Sequence, residues 1–379
     1  MIPFDGIKFF YVLSALLLPA AVLGFFQKPR KYYGMFATLV MLALIFGTAA
    51  QRVTLLLFYL LQLFLALAYS KLRKKSDKRY LLWIFLVLSA APLIVVKLGG
   101  VIEGLSFIHL MGISYMTFRA LQVLIETYDG LIGEVDALDF SYFLLFFPSV
   151  SSGPIDRYRR FKADADKVYE RAEFAELVKK GVWKLLWGAF FNFGVSSVIY
   201  SGWLMPLPGE GLWNTVLYMY GYTFFLFFNF AGYSLMAIGA SYILGIRTPE
   251  NFNLPFLSRD MKDFWSRWHM SLSGWMRDYV YTRFVMASMK GGWFKDKRTG
   301  SYIGYVITML TMGIWHGITP AYIVYGAYHG ILMCVNDLLD TRWKHYKSLK
   351  KNKVFEAFSV IITFHLFSFG LLIFSGRIV

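Results

Sequence analysis

Two histidines are the residues most able to carry chemistry, because each lies in a short motif with tryptophan. His316 is followed directly by Gly317 and soon after by Pro320, two residue types that end α-helices. The apolar run 302–315 before it covers about 20 Å of a bilayer core near 30 Å. His316 is therefore predicted to lie at a broken helix end within bilayer depth, where irregular backbone is tolerated only inside protein or beside a water-filled cavity.

This position suits a general base. Burial without a charged partner favours the neutral imidazole, which can take a proton from a hydroxyl group. Ionisable residues are costly inside a membrane and are usually functional where they occur. The alternative is a structural histidine that ties two half-helices together, and the apolar setting favours catalysis over it.

The second histidine, His269, lies within 259–290, where charged residues and tryptophans alternate. If this stretch is one helix, its large apolar side chains fall on one stripe, formed by Trp265, Trp268, Leu272, Trp275 and Met276. His269 then lies on the aromatic side, one turn from Trp265 and one turn from Ser273. The alternative is an interfacial helix whose histidine binds a backbone carbonyl, and the apolar setting again favours a functional role.

The other reactive groups are weaker candidates. The remaining histidines lie in apolar runs or in a basic loop: His109, His329, His365 and, in the loop, His345. No acidic residue or cysteine lies at ligand spacing from His269 or His316, so no metal site is expected. The single cysteine, Cys334, lies in an apolar run, which makes it a poor nucleophile.

The elements that position these groups are predicted to be membrane helices. Apolar residues make up 57% of the 379 residues and charged residues 16%, against about 25% charged residues in soluble domains. One aqueous core cannot bury that much apolar surface, so lipid must cover the rest. The net charge of +16 comes from bases between the apolar runs, which favours membrane orientation over nucleic-acid binding.

Apolar runs of roughly 20 residues are the candidates for membrane spans. The candidate runs cover 7–26, 34–50, 52–70, 80–98, 105–125, 180–203, 212–228, 230–246, 302–315, 318–339 and 354–374. Re-entrant or interfacial pieces are expected at 140–153 and 254–290. The mixed charges of 156–184 predict a solvated or interfacial helical connection.

Two loops rich in lysine and arginine predict the orientation. Segment 71–79 carries six basic residues against Asp77 alone, and segment 341–353 carries six with no acid. The positive-inside rule places both loops in the cytoplasm and both chain termini outside, in a multi-pass protein of the cell membrane. Such basic surfaces would also attract anionic lipids or an acidic protein partner.

The motifs around both histidines resemble the membrane-bound O-acyltransferase superfamily. The main ones are Phe264-Trp265-Ser266-Arg267-Trp268-His269 and, 47 residues after His269, Trp315-His316-Gly317; the supporting ones are 147–148, 152–157, 230–234, 237–239 and 251–253. Together they cover nearly the whole chain in the family's order. Several motifs in order are far more specific than any single one.

Within the superfamily, the chain resembles the branch that transfers D-alanine to lipoteichoic acid. The segments 112–120 and 315–319 carry this likeness, and Leu235 stands where the alginate O-acetylation branch typically has Asp. One departure is Asn229, where relatives often carry Asp. An asparagine can hydrogen-bond there but cannot take up a proton.

The resemblance implies an all-α fold, a ring of about 11 tilted transmembrane helices with re-entrant and interfacial helices around a central tunnel. It implies one membrane-embedded domain over 1–379, made of N-terminal helices (1–135), a catalytic core (136–339) and a basic loop with the last span (340–379). His316 matches the family's catalytic histidine, and His269 matches its second, cytoplasm-side histidine.

The resemblance also implies the substrates and partners. The donor is an acidic carrier protein with D-alanine held as a thioester on a phosphopantetheine arm, so the chain itself binds no cofactor. The acceptor is a hydroxyl of lipoteichoic acid. An accessory membrane protein of the same pathway is a further expected partner, besides the lipid bilayer, and no nucleic acid is expected.

Two groups of residues are predicted to serve these substrates. Trp315, Trp268, Trp265 and Ser273 are predicted to line the tunnel. A small apolar patch rimmed with positive charge is predicted to bind the carrier, and it consists of Arg283, Phe284, Val285, Met286, Met289 and Lys290. The alternative for this patch is an anchor on lipid headgroups.

Two other functions fit the same residues. Another O-acyltransferase, for instance one that acetylates a polysaccharide, would keep the chemistry and change the acyl group. A transporter would use the broken helices and buried histidines for proton coupling, without covalent chemistry.

Overall fold

The computed structural model describes residues 1–100, 102, 110–209 and 211–379, and the regular secondary structure of this part of the chain is helical. This confirms the predicted all-α class. His109 and the first residues of the predicted run 105–125 lie outside the described residues.

The contacts group the chain into two compact units. The first unit comprises 1–190 and 232–249. Its helices are α1 (Ile7–Phe25), α2 (Lys31–Ile45), α3 (Ala49–Arg73), α4 (Arg79–Leu98), α5 (Ile113–Tyr128), α6 (Ala137–Leu145), α7 (Tyr158–Asp166) and α8 (Arg171–Ala189). A 3-10 turn, Phe147–Ser149, follows α6.

The second unit comprises 191–231 and 250–379 and holds both motif histidines. Its helices are α9 (Ser196–Ile199), α10 (Leu212–Ile243, which continues into the first unit), α11 (Met261–Arg267), α12 (Met270–Met276), α13 (Thr282–Lys290), α14 (Lys297–His316), α15 (Pro320–Arg342), α16 (Lys344–Leu349) and α17 (Lys353–Phe374). Short π-helical or 3-10 segments are Phe190–Val195, whose first residue belongs to the first unit, Tyr200–Leu204, Pro255–Leu257 and Arg277–Tyr281.

Six helical stretches of the described chain are long and apolar enough to cross a membrane. They are Ile7–Phe25, Ala49–Arg73, Arg79–Leu98, Arg171–Leu204, Leu212–Ile243 and Lys353–Phe374. These stretches are consistent with a multi-pass protein, and the count of about 11 spans stays a prediction. Two termini on one side require an even number of crossings, so eleven crossings and two outside termini cannot both hold.

Several predicted boundaries were wrong. The runs 212–228 and 230–246 form the single helix α10. The run 302–315 belongs to the 20-residue helix α14, which is about 30 Å long and therefore not too short to cross a bilayer. The second half of 156–184 continues into the candidate span Arg171–Leu204. Propensity and polarity alone do not show where flanking polar residues extend a helix.

A buried arginine organises the first unit. Arg119 on α5 is 1% exposed. Its guanidinium donates to the carbonyl of Phe143 at 3.1 Å and to that of Ser149 at 2.6 Å. Because the backbone leaves its helix between α6 and the 3-10 turn, these carbonyls would otherwise lack donors. Arg119 therefore stabilises this irregular segment.

We expect Gly112→Ala to destabilise the protein more than Gly130→Ala. Both glycines have φ near +76°, so both alanines carry the same left-handed strain. A Cβ at position 112 would lie 2.1 Å from the carbonyl oxygen of Val150, whereas nothing in the described structure lies within 4 Å of one at position 130. The clash should cost roughly 1–3 kcal/mol beyond the strain. Thermal unfolding in detergent measures the difference, and equal losses would contradict it.

Candidate active site

His316 lies at the turn of a helical hairpin in the second unit. Helix α14 ends at His316, and the N–H of Gly317 donates to the carbonyl of Gly313 at 3.3 Å. Helix α15 then begins at Pro320. Proline lacks a backbone N–H, and at the first position of a helix that N–H would make no intrahelical hydrogen bond in any case. The prediction that Gly317 and Pro320 break the helix beside His316 is confirmed.

Glycines let the two helices of this hairpin approach closely. A Cβ on Gly313 would lie 2.3 Å from the carbonyl oxygen of Tyr322. A Cβ on Gly326 would lie 2.6 Å from the carbonyl oxygen of Met309. Small residues at such crossings allow backbone-to-backbone packing between membrane helices. The position of His316 is therefore set by the main chains of α14 and α15.

His269 lies in a sharp break between α11 and α12. Its backbone is left-handed, with φ +44° and ψ +50°, which costs a residue other than glycine roughly 1–2 kcal/mol. The stretch 259–290 is therefore not one helix, because the chain turns at His269. Such a conformation persists when surrounding groups hold it in place.

The Asn-Phe-Asn segment supplies the groups that hold this break. The carbonyl of Asn251 accepts the N–H of Met270 at 2.9 Å, and the N–H of Asn253 donates to the carbonyl of Arg267 at 3.0 Å. The Asn251 side-chain oxygen accepts the Ser271 hydroxyl at 2.6 Å. These bonds satisfy backbone groups that the break frees, as burial requires.

A row of rings joins the two histidines. The centroids of His269 and Trp315 lie 6.4 Å apart, and those of Trp315 and His316 lie 4.6 Å apart. His269 is 5% exposed, whereas His316 is half-buried. Of the two histidines, His316 is the one that a substrate can reach directly.

Aromatic side chains surround His316 on its other sides. Its ring centroid lies 4.8 Å from Phe374, 5.9 Å from Tyr322 and 6.3 Å from Tyr325. Phe374 is the last residue of α17, so the ends of α14 and α17 meet here. The imidazole is therefore held among rings from α14, α15 and α17.

A cavity of about 460 Å³ lies within the second unit, in the range of roughly 300–1,000 Å³ that is usual for small-molecule sites. Its lining includes two predicted tunnel residues, Trp265 and Ser273. It also includes Met270, next to His269, and Met312, one helical turn before His316. The cavity thus extends along α12 and α14 to the residue after His269 and to one helical turn before His316, and neither histidine is among its lining residues.

The other two predicted tunnel residues lie elsewhere. Trp315 stands between the imidazoles, as described above. Trp268 is 5% exposed and is not among the residues that line the cavity. It packs against Phe367 at 4.8 Å and Phe252 at 5.0 Å between ring centroids. Trp268 therefore belongs to an aromatic cluster with Phe367 and Phe252, next to the helix break at His269.

Sequence reasoning missed the methionines of the cavity. Met270 and Met276 from α12, Met309 and Met312 from α14, and Met333 from α15 all line it. Flexible, polarisable thioethers form an apolar wall that adapts to its contents. The spacing of Met309 and Met312 was visible in the sequence, but nothing there connected these residues with the distant Met270 and Met333.

His329, predicted to be a weaker candidate, lies close to the site. It is fully buried, and neither ring nitrogen has a hydrogen-bond partner in the described part of the chain. Its ring centroid lies 4.6 Å from Tyr325 and 5.2 Å from Trp265. It therefore packs directly behind one wall of the cavity and beside one neighbour of His316.

The predicted carrier-binding residues lie on and around α13, whose exposed face is formed by methionine. Met286 is 65% exposed and Met289 is 52% exposed. Val285 is half-buried and packs closely against Gly304. A Cβ added to Gly304 would lie only 3.0 Å from the Cγ2 atom of Val285. The segment before α13 ends at Tyr281, which lines the cavity. The patch and the cavity are therefore neighbours.

Ion pairs fix α11 and its N-cap. Lys262 pairs with Asp337 at 2.5 Å. Lys350 pairs with Asp260 at 2.9 Å and with Asp340 at 2.5 Å. Partial burial lowers the pKa of Lys350, but its hydrogen bonds with Asp340 and Asp260 outweigh this effect and raise the pKa to about 12. Lys350 therefore stays charged at neutral pH and holds the basic loop to this helix.

Known proteins are similar in sequence to this chain over most of its length. Residues 32–376 match the family described as MBOAT, membrane-bound O-acyltransferase. The chain is 41% identical to the teichoic acid D-alanyltransferase of Bacillus subtilis, over 100% of this chain and 98% of that protein. It is 38% identical to the protein of that name from Streptococcus thermophilus, over 99% and 95%. A Pseudomonas aeruginosa protein named "Probable alginate O-acetylase" is 31% identical over 70% of this chain and 49% of its own length.

We expect His269→Asn to keep the break between α11 and α12 and His269→Val to weaken it. Asparagine tolerates left-handed backbone, whereas a β-branched residue there is strained, at a cost of about 1–3 kcal/mol. Thermal unfolding of both variants in detergent measures this. Comparable stability of the two variants would show that the backbone at position 269 relaxes freely.

Proposed function

Because the chain belongs to the membrane-bound O-acyltransferase family, we propose that it transfers D-alanine to a hydroxyl of lipoteichoic acid. The donor is a thioester on the phosphopantetheine arm of an acidic carrier protein. Family membership makes the chain an acyltransferase. The observation that carries the proposal is the full-length identity of 41% to a teichoic acid D-alanyltransferase.

In this proposal His316 is the general base. It takes the proton of the acceptor hydroxyl while the oxygen attacks the thioester carbonyl carbon. The tetrahedral intermediate then collapses, the carbon–sulfur bond breaks, and the proton passes to the thiolate that leaves. Two observations support this role: His316 is half-buried and therefore reachable, and the rings of Phe374, Tyr322 and Tyr325 hold its imidazole in position.

His269 has a different role in the proposal. It is almost fully buried and stands behind Trp315, so we assign it the positioning of Trp315 and His316. Its break also directs Met270 and Ser273 toward the cavity. Asn229 accepts a hydrogen bond from Asn192 through its backbone carbonyl at 2.9 Å, a contact that does not require an acid at that position.

The cavity beside the histidines is the proposed path of the donor arm. It begins near Tyr281 and Arg277 and ends near Met312. An arm that enters beside α13 would thus bring its thioester toward His316. The apolar methionine wall keeps water from the thioester, which protects it from hydrolysis. Arg277 at the lining, whose exposed guanidinium lies beside Asp278, is suited to the phosphate of the arm.

The exposed patch on α13 is the proposed docking surface for the carrier. Met286 and Met289 supply apolar contact, and Arg283 and Lys290 supply positive charge that complements an acidic protein. This assignment places the patch and the basic loops in the cytoplasm and the acceptor outside. An accessory membrane protein would then assist on the acceptor side.

Polysaccharide acetylation is the second candidate, favoured by the similarity to the Pseudomonas aeruginosa protein. Acetyl-loaded and D-alanyl-loaded donors, offered side by side to the purified protein in vesicles, decide between them. Formation of a D-alanyl ester on lipoteichoic acid supports the proposal. Exclusive acetyl transfer, or movement of an intact solute without any ester, refutes it.

Replacement of His316 tests the general base. We expect His316→Ala and His316→Gln to express and fold but to lose at least about 100-fold in D-alanyl transfer, which is the lower range of general-base contributions. Carrier binding should remain, because the patch on α13 is intact. Transfer rates within a few-fold of the unmodified protein would exclude His316 as the base.

A charge on α13 tests the docking surface. We expect Met286→Asp to abolish capture of the carrier, because it buries an unpaired carboxylate against an acidic partner. Met205→Asp is the matched control, since Met205 is 68% exposed and lies outside the patch. Both variants should unfold at the same temperature. Undiminished capture by Met286→Asp, in a pull-down with purified carrier, would remove the patch from the proposal.

A further inference from the structure

We propose that Arg377 and the tyrosines between it and His316 bind a polyol phosphate, the repeating unit of the acceptor polymer. This inference rests on the proposed function. It assigns the acceptor a site on the side of His316 that faces away from the donor cavity.

The course of the helices puts Arg377 on that side. Helix α14 contributes Tyr305, Met309 and Met312 to the cavity and reaches His316 one turn later. Helix α17 runs from Lys353 in the basic loop to Phe374, whose ring lies 4.8 Å from His316. Arg377 follows Phe374 after a turn, so it lies beyond His316 as seen from the cavity.

Arg377 has unused capacity for an anion. Its Nη2 donates to the carbonyl of Gly209 at 2.6 Å and to that of Pro208 at 3.4 Å. Its Nε is buried and has no hydrogen-bond partner in the described parts of the chain. No carboxylate is paired with it there. A guanidinium has five donors in a planar fork that suits phosphate, and here the carbonyls leave several of them free.

Aromatic contacts hold the guanidinium in place. It lies over the ring of Tyr218, 4.3 Å from the ring centroid. Tyr218 in turn stacks on Tyr222 at 5.5 Å, with the ring planes 10° apart. A guanidinium fixed by stacking loses less conformational freedom when it binds an anion. Arg377 is thus better prepared for a phosphate than a free surface arginine.

Tyrosines continue from this point to His316. Tyr322 on α15 lies at the histidine end, with its ring 5.9 Å from His316. All of these side chains are half-buried, so a ligand can touch them. Tyrosine offers a hydroxyl for hydrogen bonds and a ring face for C–H groups. This combination fits a short polyol, with its phosphate at Arg377 and a hydroxyl at His316.

A transfer assay with soluble acceptors tests the site. The purified protein, in a detergent without phosphate groups, receives D-alanyl-loaded carrier and either glycerol phosphate oligomers or glycerol. We expect Arg377→Gln to raise the KM for the phosphate acceptor about 10-fold or more, since hydrogen bonds between charged groups are of that strength. Arg377→Lys should recover part of this loss. The KM for the carrier should not change, because the carrier binds elsewhere.

Arg52→Gln is the matched control. Arg52 also donates to backbone carbonyls, those of Phe46 and Gly47 among them, but it lies in the first unit. Its replacement should leave the acceptor KM unchanged, and the unfolding temperatures of all variants should be compared. If Arg377→Gln leaves the KM for the phosphate acceptor unchanged, or raises it equally for glycerol, the inference is refuted.

Two further outcomes distinguish an acceptor site from a lipid site and from a protein that transfers no D-alanine. If phosphatidylglycerol raises the acceptor KM of the unmodified protein but not that of Arg377→Gln, the site binds a lipid headgroup and the inference fails. If the unmodified protein transfers D-alanine to none of the acceptors, the proposed function itself fails. If it transfers D-alanine and the acceptor KM depends on Arg377, both stand.

Discussion

A helix that breaks inside a membrane protein frees backbone groups that neither lipid nor water can satisfy, and the site depends on how this protein satisfies them. At His269 the Asn-Phe-Asn segment supplies the missing partners. At His316 the freed end of α14 is closed by Gly317 and by the close approach of α15. Each histidine thus occupies a backbone break that the surrounding protein keeps rigid.

Rigid breaks give the imidazoles fixed positions in an apolar region. Trp315 separates the two rings, and aromatic side chains cover the remaining faces of His316. In the proposed reaction, a base placed in this way needs no reorganisation when the hydroxyl arrives, and the surrounding protein keeps bulk water from the thioester. In the two proposals above, the cavity on one side and the tyrosines with Arg377 on the other would give the donor and the acceptor separate routes to the ring of His316.

The sequence predicted much of this arrangement, because the responsible features are local. Composition and apolar runs predicted the membrane class, and Gly317 with Pro320 predicted the helix end at His316. The break at His269 was not predicted. It depends on hydrogen bonds from Asn251 and Asn253, and those partners lie outside the window in which periodicity is read. Likewise, the predicted run 302–315 is shorter than helix α14, because the polar first turn of α14 is helical as well.

By itself, the sequence determined the residue types that can do chemistry, the helical class and the family, because these follow from composition and from short motifs in order. The tertiary structure decided which side chains share a space. It brought Met270, Met312 and Met333 to one cavity, packed Trp268 into an aromatic cluster and placed the Arg377 guanidinium over the ring of Tyr218. Such contacts between distant segments arise from helix packing, and helix packing depends on close approaches that no single stretch of sequence encodes.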